Sequence, residues 1–183
     1  KAMNYFQEEM GDSVSVEIVE FSSGKDVNTA LAAGSIDFGL EGSCPASLAI
    51  AQDLGVELIW IHEVLGDVES LVATNTSGIN SVADLKGKKV AVPFASTAHF
   101  SLLKAMENAG LSASDVTVLD MQPDKIYASW NSGDIDAAYI WEPTLSQLSN
   151  KKTVITSGEL AKAGYMTSNV EVVRTKFAEA HPD

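Results

Sequence analysis

Two short segments of small, hydroxyl-bearing residues stand where a strand pattern gives way to a helix pattern: Gly42-Ser43-Cys44, ahead of Pro45, and Ser96-Thr97-Ala98-His99. A helix N-terminus carries unpaired N–H groups and about half a positive charge, so loops of this kind suit an oxyanion that accepts N–H and O–H bonds. Ser and Thr are also ordinary helix caps, and each loop alone fits capping equally well. Two such loops, one in each half of the chain, favour an anion clamp. Asp120-Met121-Gln122-Pro123 and Trp141-Glu142-Pro143 also close apolar strands. Glu142 and Trp141 are candidates to receive an ammonium group, one by charge and the other by its ring face, with core packing as the competing role for Trp141. Glu69 and Asn169 flank two inferred crossings of the chain, where they either face a cleft or lie exposed.

Signatures of catalysis are missing. The sequence contains no Gly-x-Ser-x-Gly elbow, no His-Glu-x-x-His, no paired cysteines for zinc and no phosphate loop. His62, His99 and His181 are far apart in sequence. Cys44, at a helix start among small residues, is placed where a thiol pKa can fall. These features lead to the expectation of a binding protein, not an enzyme, with no metal and no cofactor. The net charge of −13, from 12 basic and 25 acidic residues, argues against nucleic acid, which needs clustered Lys and Arg. A single cysteine rules out an internal disulfide. No apolar run approaches the ~18 residues of a membrane span. The first residues read as mid-helix and the last show no domain terminus, so the chain reads as part of a longer protein.

The elements that would position these residues follow from periodicity. An opening helix ends near Gly11, and residues 14–19 alternate as a strand would. Asp26 is a candidate N-cap for a helix that stops at Gly34. Strands are expected at residues 36–40, 56–61, 70–74, 90–92, 116–119, 136–140, 153–156 and 170–173. Helices are expected after Pro45, after Ser96 as far as Asn108, after Pro123 and after Pro143, with Ser81 capping a short one. The apolar runs at 58–61 and 90–93 have the length of buried strands. Strands alternating with helices indicate α/β architecture with mostly parallel sheets. Gly34-Ser35-Ile36-Asp37 and Gly133-Asp134-Ile135-Asp136 echo one another roughly 100 residues apart, as two similar lobes would. Residues 1–76 and 164–183 are assigned to a first lobe and 77–163 to a second, with extended crossings near 74–81 and 156–168.

The ligand loops carry a resemblance. Val90-Ala91-Val92-Pro93-Phe94-Ala95-Ser96-Thr97-Ala98-His99-Phe100-Ser101-Leu102-Leu103 closely resembles the second-lobe ligand segment of periplasmic taurine-binding proteins. So do Leu119-Asp120-Met121-Gln122-Pro123, Gly133-Asp134-Ile135-Asp136-Ala137-Ala138-Tyr139-Ile140-Trp141, and Ile36-Asp37-Phe38-Gly39 with Gly42-Ser43. The likeness runs from the first helix to Pro182. It implies the type II periplasmic-binding-protein fold, whose two lobes close on a ligand by a hinge. It also implies a monomer that carries taurine or a related sulfonate to an ABC permease and its ATPase, in the periplasm or on a lipid anchor outside the membrane. The family pattern puts ligand contacts at Ser43, Cys44, Ser96, Thr97, His99, Gln122 and Trp141, and points to Glu69 and Asn169. Cys44 stands in place of a more usual serine, and Asn169 where related receptors can carry an acid. The same fold serves LysR-type regulators as a sensor domain and some pyrimidine-forming enzymes of thiamine synthesis, and these are the alternative readings.

Overall fold

A computed structural model describes residues 5–11 and 14–182. In chain order the elements are α1 (Tyr5–Met10), α2 (Gly24–Ala33), β1 (Phe38–Gly42), α3 (Ser43–Ala51), β2 (Val56–Val64) and β3 (Glu69–Thr74). A 3-10 turn at Val82–Leu85 leads to β4 (Lys89–Val92), α4 (Thr97–Asn108), β5 (Thr117–Asp120), α5 (Pro123–Ser132) and β6 (Ala137–Trp141). The chain closes with α6 (Thr144–Gln147), β7 (Lys151–Thr156), α7 (Ser157–Lys162), β8 (Ser168–Arg174) and α8 (Thr175–Ala180).

The strands form two sheets. One has three strands in the order β1-β8-β2, and the other has five in the order β5-β4-β6-β3-β7. The chain passes from the first sheet to the second between Val64 and Glu69 and returns between Thr156 and Ser168. The turn after Thr74, expected as a crossing, stays on the second sheet, where Asn75 N–H donates to the Asn150 carbonyl at 2.9 Å. The α/β fold with two layers stands, but strand directions are more mixed than the mostly parallel arrangement expected. β4 runs parallel to β5 and β6, while β3, β7 and every pairing of β8 are antiparallel. The reason is topological: β3 and β8 are the strands that arrive from the other sheet, not by a crossover within one sheet.

The five-stranded sheet is a buried layer. Alternate residues of its central strands face opposite sides, as the period of two demands. Leu71, Ala73, Val90, Val92, Ala137 and Tyr139 pack under α4, against Ala98, Leu102, Ala105 and Met106. Val72, Ala91, Ala138 and Ile140 face Ile126 and Trp130 of α5 and Leu145 and Leu148 beside α6. The three-stranded sheet is covered on one face, where Val27, Leu31, Ala46, Ala49, Val56, Val170 and Val172 close the core. α2 rests directly on the backbone there, since a Cβ on Gly39 would come 2.7 Å from Val27 Cγ1.

Several local expectations change. Residues 14–19 have no regular secondary structure and join no ladder among the described residues, and Ile18 is 75% exposed. Their alternation is real, but among the described residues no strand pairs with them. The run at 58–61 is a strand, yet an edge strand, with Trp60 62% exposed, because no helix covers that face among the described residues. Ser23, not Asp26, holds the N-cap position of α2, and its hydroxyl donates to the Asp26 carboxylate at 3.0 Å. The short helices α7 and α8 were not anticipated, being too short to show a period. The repeated Gly-x-Ile-Asp segments do match in structure: Gly34 and Gly133 are left-handed C-caps, at φ 69° and 77°, of helices that each lead into a strand.

Because Leu102 is fully buried between α4 and the sheet, Leu102→Ala should destabilise the protein by about 2–5 kcal/mol. Urea unfolding followed by circular dichroism measures it, and a loss below about 1 kcal/mol would contradict this packing.

Candidate functional site

The second-lobe loop is built around a cap. β4 ends at Val92, and Ala95 takes the left-handed backbone at φ 62°, unusual for a residue with a side chain. That turn aims Ser96 into the start of α4. Ser96 Oγ accepts the His99 N–H at 3.1 Å and donates to the Pro93 carbonyl at 2.6 Å, so this buried hydroxyl is committed to the loop itself. What the loop leaves open is the first helical turn, whose Thr97 and Ala98 N–H groups have no acceptor within the helix. Phe94 stacks on His99 with ring centroids 4.3 Å apart, and its N–H donates to Asp120 Oδ1 at 2.9 Å. His99 Nδ1 accepts the Ala95 N–H at 3.3 Å, which puts the ring proton on Nε2. Burial lowers the His99 pKa against a smaller opposing pull from Asp120, so the ring is neutral at neutral pH.

The first-lobe loop meets it. Gly42 precedes α3, and a Cβ there would come 2.7 Å from Thr97 Cγ2. Only a bare Cα lets the two helix starts approach so closely. Ser43 Oγ accepts the Ser168 N–H at 3.2 Å, tying the returning strand to the same point. The Cys44 thiol is half-buried, and burial, followed by the Glu69 charge, pushes its pKa up to about 11. The lowered thiol pKa considered for a helix start is therefore not found, and Cys44 is a neutral donor.

Glu69 lies beneath this junction rather than on a cleft wall, with 1% of its surface exposed. Thr97 Oγ1 donates to its Oε2 at 2.5 Å and Ser157 Oγ donates to its Oε1 at 2.7 Å. Ser157 in turn meets Tyr139 OH at 3.0 Å and Ser101 Oγ at 3.4 Å. Burial raises the Glu69 pKa and the two hydroxyls hold it back. Trp141 stands opposite Glu69 in the β3–β6 ladder and packs against the cores on both faces of the sheet.

The remaining candidates divide. Gln122 holds the N-cap position of α5 at the end of β5, next to the loop, and its buried Oε1 has no partner. The exposed Glu142 carboxylate instead accepts the Ser146 N–H at 2.9 Å and the Ser146 hydroxyl at 2.7 Å, which commits it to α6. Asn169 pairs with Gly42 in the ladder, but its Nδ2 donates to Glu63 Oε1 at 2.9 Å on the opposite strand. Ser43, Cys44, Glu69, Ser96, Thr97 and His99 are thus brought together, with Trp141 and Gln122 beside them. The Glu142 and Asn169 side chains are engaged elsewhere.

Sequence reasoning passed over Ser157, Thr167 and Glu41. Thr167 is buried with an unpartnered hydroxyl, next to the Ser168 that bonds Ser43. Glu41 is 5% exposed, both its oxygens lack partners, and burial lifts its pKa to about 8. Its signal was its position two residues after Gly39, on the strand face that carries α2.

Two α/β layers thus meet where the chain crosses between them, and two helix starts converge at that point. The chain belongs to the NMT1/THI5-like family, whose pattern matches residues 1–183. It is 39% identical to the taurine-binding periplasmic protein of Escherichia coli K12, over 100% of this chain and 56% of that protein. Among solved structures it resembles the alkanesulfonate-binding protein SsuA from Xanthomonas axonopodis pv. citri bound to MOPS. That likeness has a TM-score of 0.81 and 27% identity, covering 96% of this chain and 61% of the other. It also resembles the periplasmic aliphatic sulphonate-binding protein SsuA from Escherichia coli, with a TM-score of 0.76 and 26% identity over 97% and 61% of the two chains. The chain spans about half the length of the curated relatives it matches.

Two predictions follow from this geometry. Gly42→Ala places a methyl group against Thr97 and should hold the helix starts apart, weakening ligand binding about tenfold or more while leaving the second sheet folded. Calorimetric titration with circular dichroism checks both halves. Glu41 is held protonated in the fold but ionises freely when unfolded, so its contribution is complete below the ordinary carboxyl pKa. That contribution is lost as pH rises toward about 8. Stability should fall by up to about 1.4 kcal/mol per pH unit across that window on account of Glu41, and Glu41→Gln should make the slope shallower by that amount. Equal slopes in denaturant titrations of both proteins would contradict the assignment.

Proposed function

We propose that this chain forms the ligand-holding part of a substrate-binding protein of an ABC importer, and that it binds taurine or a related small sulfonate between its lobes. The observation that carries the reading is the meeting of the α3 and α4 starts at Gly42 and Thr97, in a chain 39% identical throughout to a taurine-binding protein. A sulfonate keeps its negative charge at physiological pH, so it needs fixed donors rather than a general base. The open N–H groups of two helix starts, the Thr97 hydroxyl and the Cys44 thiol supply such donors without a lysine or arginine. On this reading Ser96 acts through its loop and not through its hydroxyl, and Trp141 and Gln122 line the same pocket. The sulfonate end is better supported than the amine end, because Glu142 and Asn169 are committed to Ser146 and Glu63.

The lobes of this reading divide by sheet, so Glu69–Thr74 goes with the second lobe, and ligand enters between them before hinge closure. The protein works as a periplasmic monomer, without catalysis, and delivers its ligand to a permease with its ATPase. The sulfonate-receptor relatives favour this over a LysR-type sensor or a pyrimidine-forming enzyme.

The test is calorimetric titration of the full-length protein that carries this chain with taurine, ethanesulfonate and 2-aminoethylphosphonate. Binding of taurine and ethanesulfonate is expected, with the phosphonate weaker. Silence from all three would overturn the ligand. Thr97→Ala should cost about 1.5–3 kcal/mol of binding, roughly ten- to a hundredfold in affinity, as loss of a hydrogen bond to a charged group does.

A further inference from the structure

Thr97 has one hydroxyl hydrogen, and in this structure it goes to Glu69 at 2.5 Å. A sulfonate held at the α4 start, as in the function proposed above on which this step rests, needs that same hydrogen. Two negative groups cannot both be served by it. Nor does a cation relieve the conflict: among the described residues Glu69 forms no ion pair with Lys, Arg or His. The elements packed around it present Thr97 and Ser101 from α4, Cys44 from α3, Tyr139 and Trp141 from β6, and Ser157 from α7. The charged groups beside these neighbours are Asp67, against Gly158 of α7, and Glu159 of α7, which acts on Tyr139, and both are acidic.

We infer that Glu69 is a positioning residue that carries a proton whenever an anion occupies the site. Its O–H then donates to Thr97 Oγ1, and the hydroxyl hydrogen of Thr97 turns to the ligand. Its other oxygen continues to accept from Ser157. The proton comes from bulk water, so binding a sulfonate takes up one proton where Glu69 was ionised beforehand. Burial already raises the Glu69 pKa, and a second negative group nearby raises it further. Affinity is therefore greatest at low pH and falls as pH rises through the Glu69 pKa of the free protein, by up to about tenfold per pH unit. Glu41 and His99 titrate near the same site, and both survive in a Glu69 variant, so the comparison isolates Glu69.

The experiment measures affinity for taurine and ethanesulfonate between about pH 5 and pH 8.5, where the sulfonate group keeps its charge throughout and ethanesulfonate, having no amine, contributes no titration of its own. It uses the full-length protein and its Glu69→Gln variant, whose side chain is neutral at every pH. Proton uptake by the unmodified protein is read from calorimetry in two buffers of different protonation heat, and its absence overturns the inference even where the variant folds poorly. The expected result is affinity that falls with pH more steeply in the parent than in Glu69→Gln, which keeps only the slope that Glu41 and His99 contribute. At the upper end the parent should take up close to one proton more than the variant, and its bound form should show more protonated-carboxyl C=O intensity than the variant, where Glu41 still contributes. Binding with no proton uptake, or the same pH slope in both proteins, overturns the inference while leaving the sulfonate reading in place. Absence of binding to either sulfonate at any pH overturns both.

Discussion

The contact between Gly42 and Thr97 is the constraint on which the rest of the site depends. Two helices from different layers begin at one point only because the residue before α3 has no side chain. The surrounding bonds hold that approach in place. Ser168 N–H ties the returning strand to Ser43, and the Ser96 cap fixes the angle at which α4 leaves β4. Thr97 is anchored from below by Glu69. Apart from the local Ser96 cap, each of these contacts joins segments far apart in sequence, so the site exists only when both sheets are formed and correctly placed.

Beneath the junction lies a polar network in an otherwise apolar layer. Glu69, Ser157, Tyr139, Ser101 and Thr97 are all buried, and each makes at least one hydrogen bond to another member. A network of this kind is costly when any member lacks a partner and rigid when all are satisfied. Glu41 is the opposite case, a buried carboxyl with no bonding partner, placed where its strand gives way to α3. On the proposed reading, the two acids show how burial without a cation keeps negative charge away from an anion. A neutral Glu41 and a proton-accepting Glu69 leave the helix starts as the main electrostatic feature of the site.

Most of the fold was legible in the sequence because its signals are local. Short apolar runs marked β3, β4 and β6, Gly34 and Gly133 marked helix ends, and Pro45 and Pro123 marked helix starts. The loops at Ser43 and Ser96 were found for the same reason, since small residues before a helix have a physical meaning that needs no partner. What was not legible depends on partners. Residues 14–19 alternate as a strand does, yet strand pairing is a property of two segments. Glu142 looked free to meet an ammonium because its bond to Ser146 follows from how α6 turns. The burial of Glu69 was hidden because it is created by α4 and α7, which reach it from residues 97 and 157.

On the proposed function, the use of helix starts in place of basic side chains gives a particular kind of selectivity. An arginine or lysine would attract any anion from a distance, including those it should reject, because a full charge acts over many ångströms. Helix N–H groups act mainly within the first turn and in fixed directions, so they reward an anion only when its oxygens reach them. In a chain with a net charge of −13, long-range attraction is weak in any case. Recognition then falls to short-range donors, and to the question of which acceptors already occupy them. The hydrogen of Thr97 is the contested one, and the group that competes for it is part of the protein.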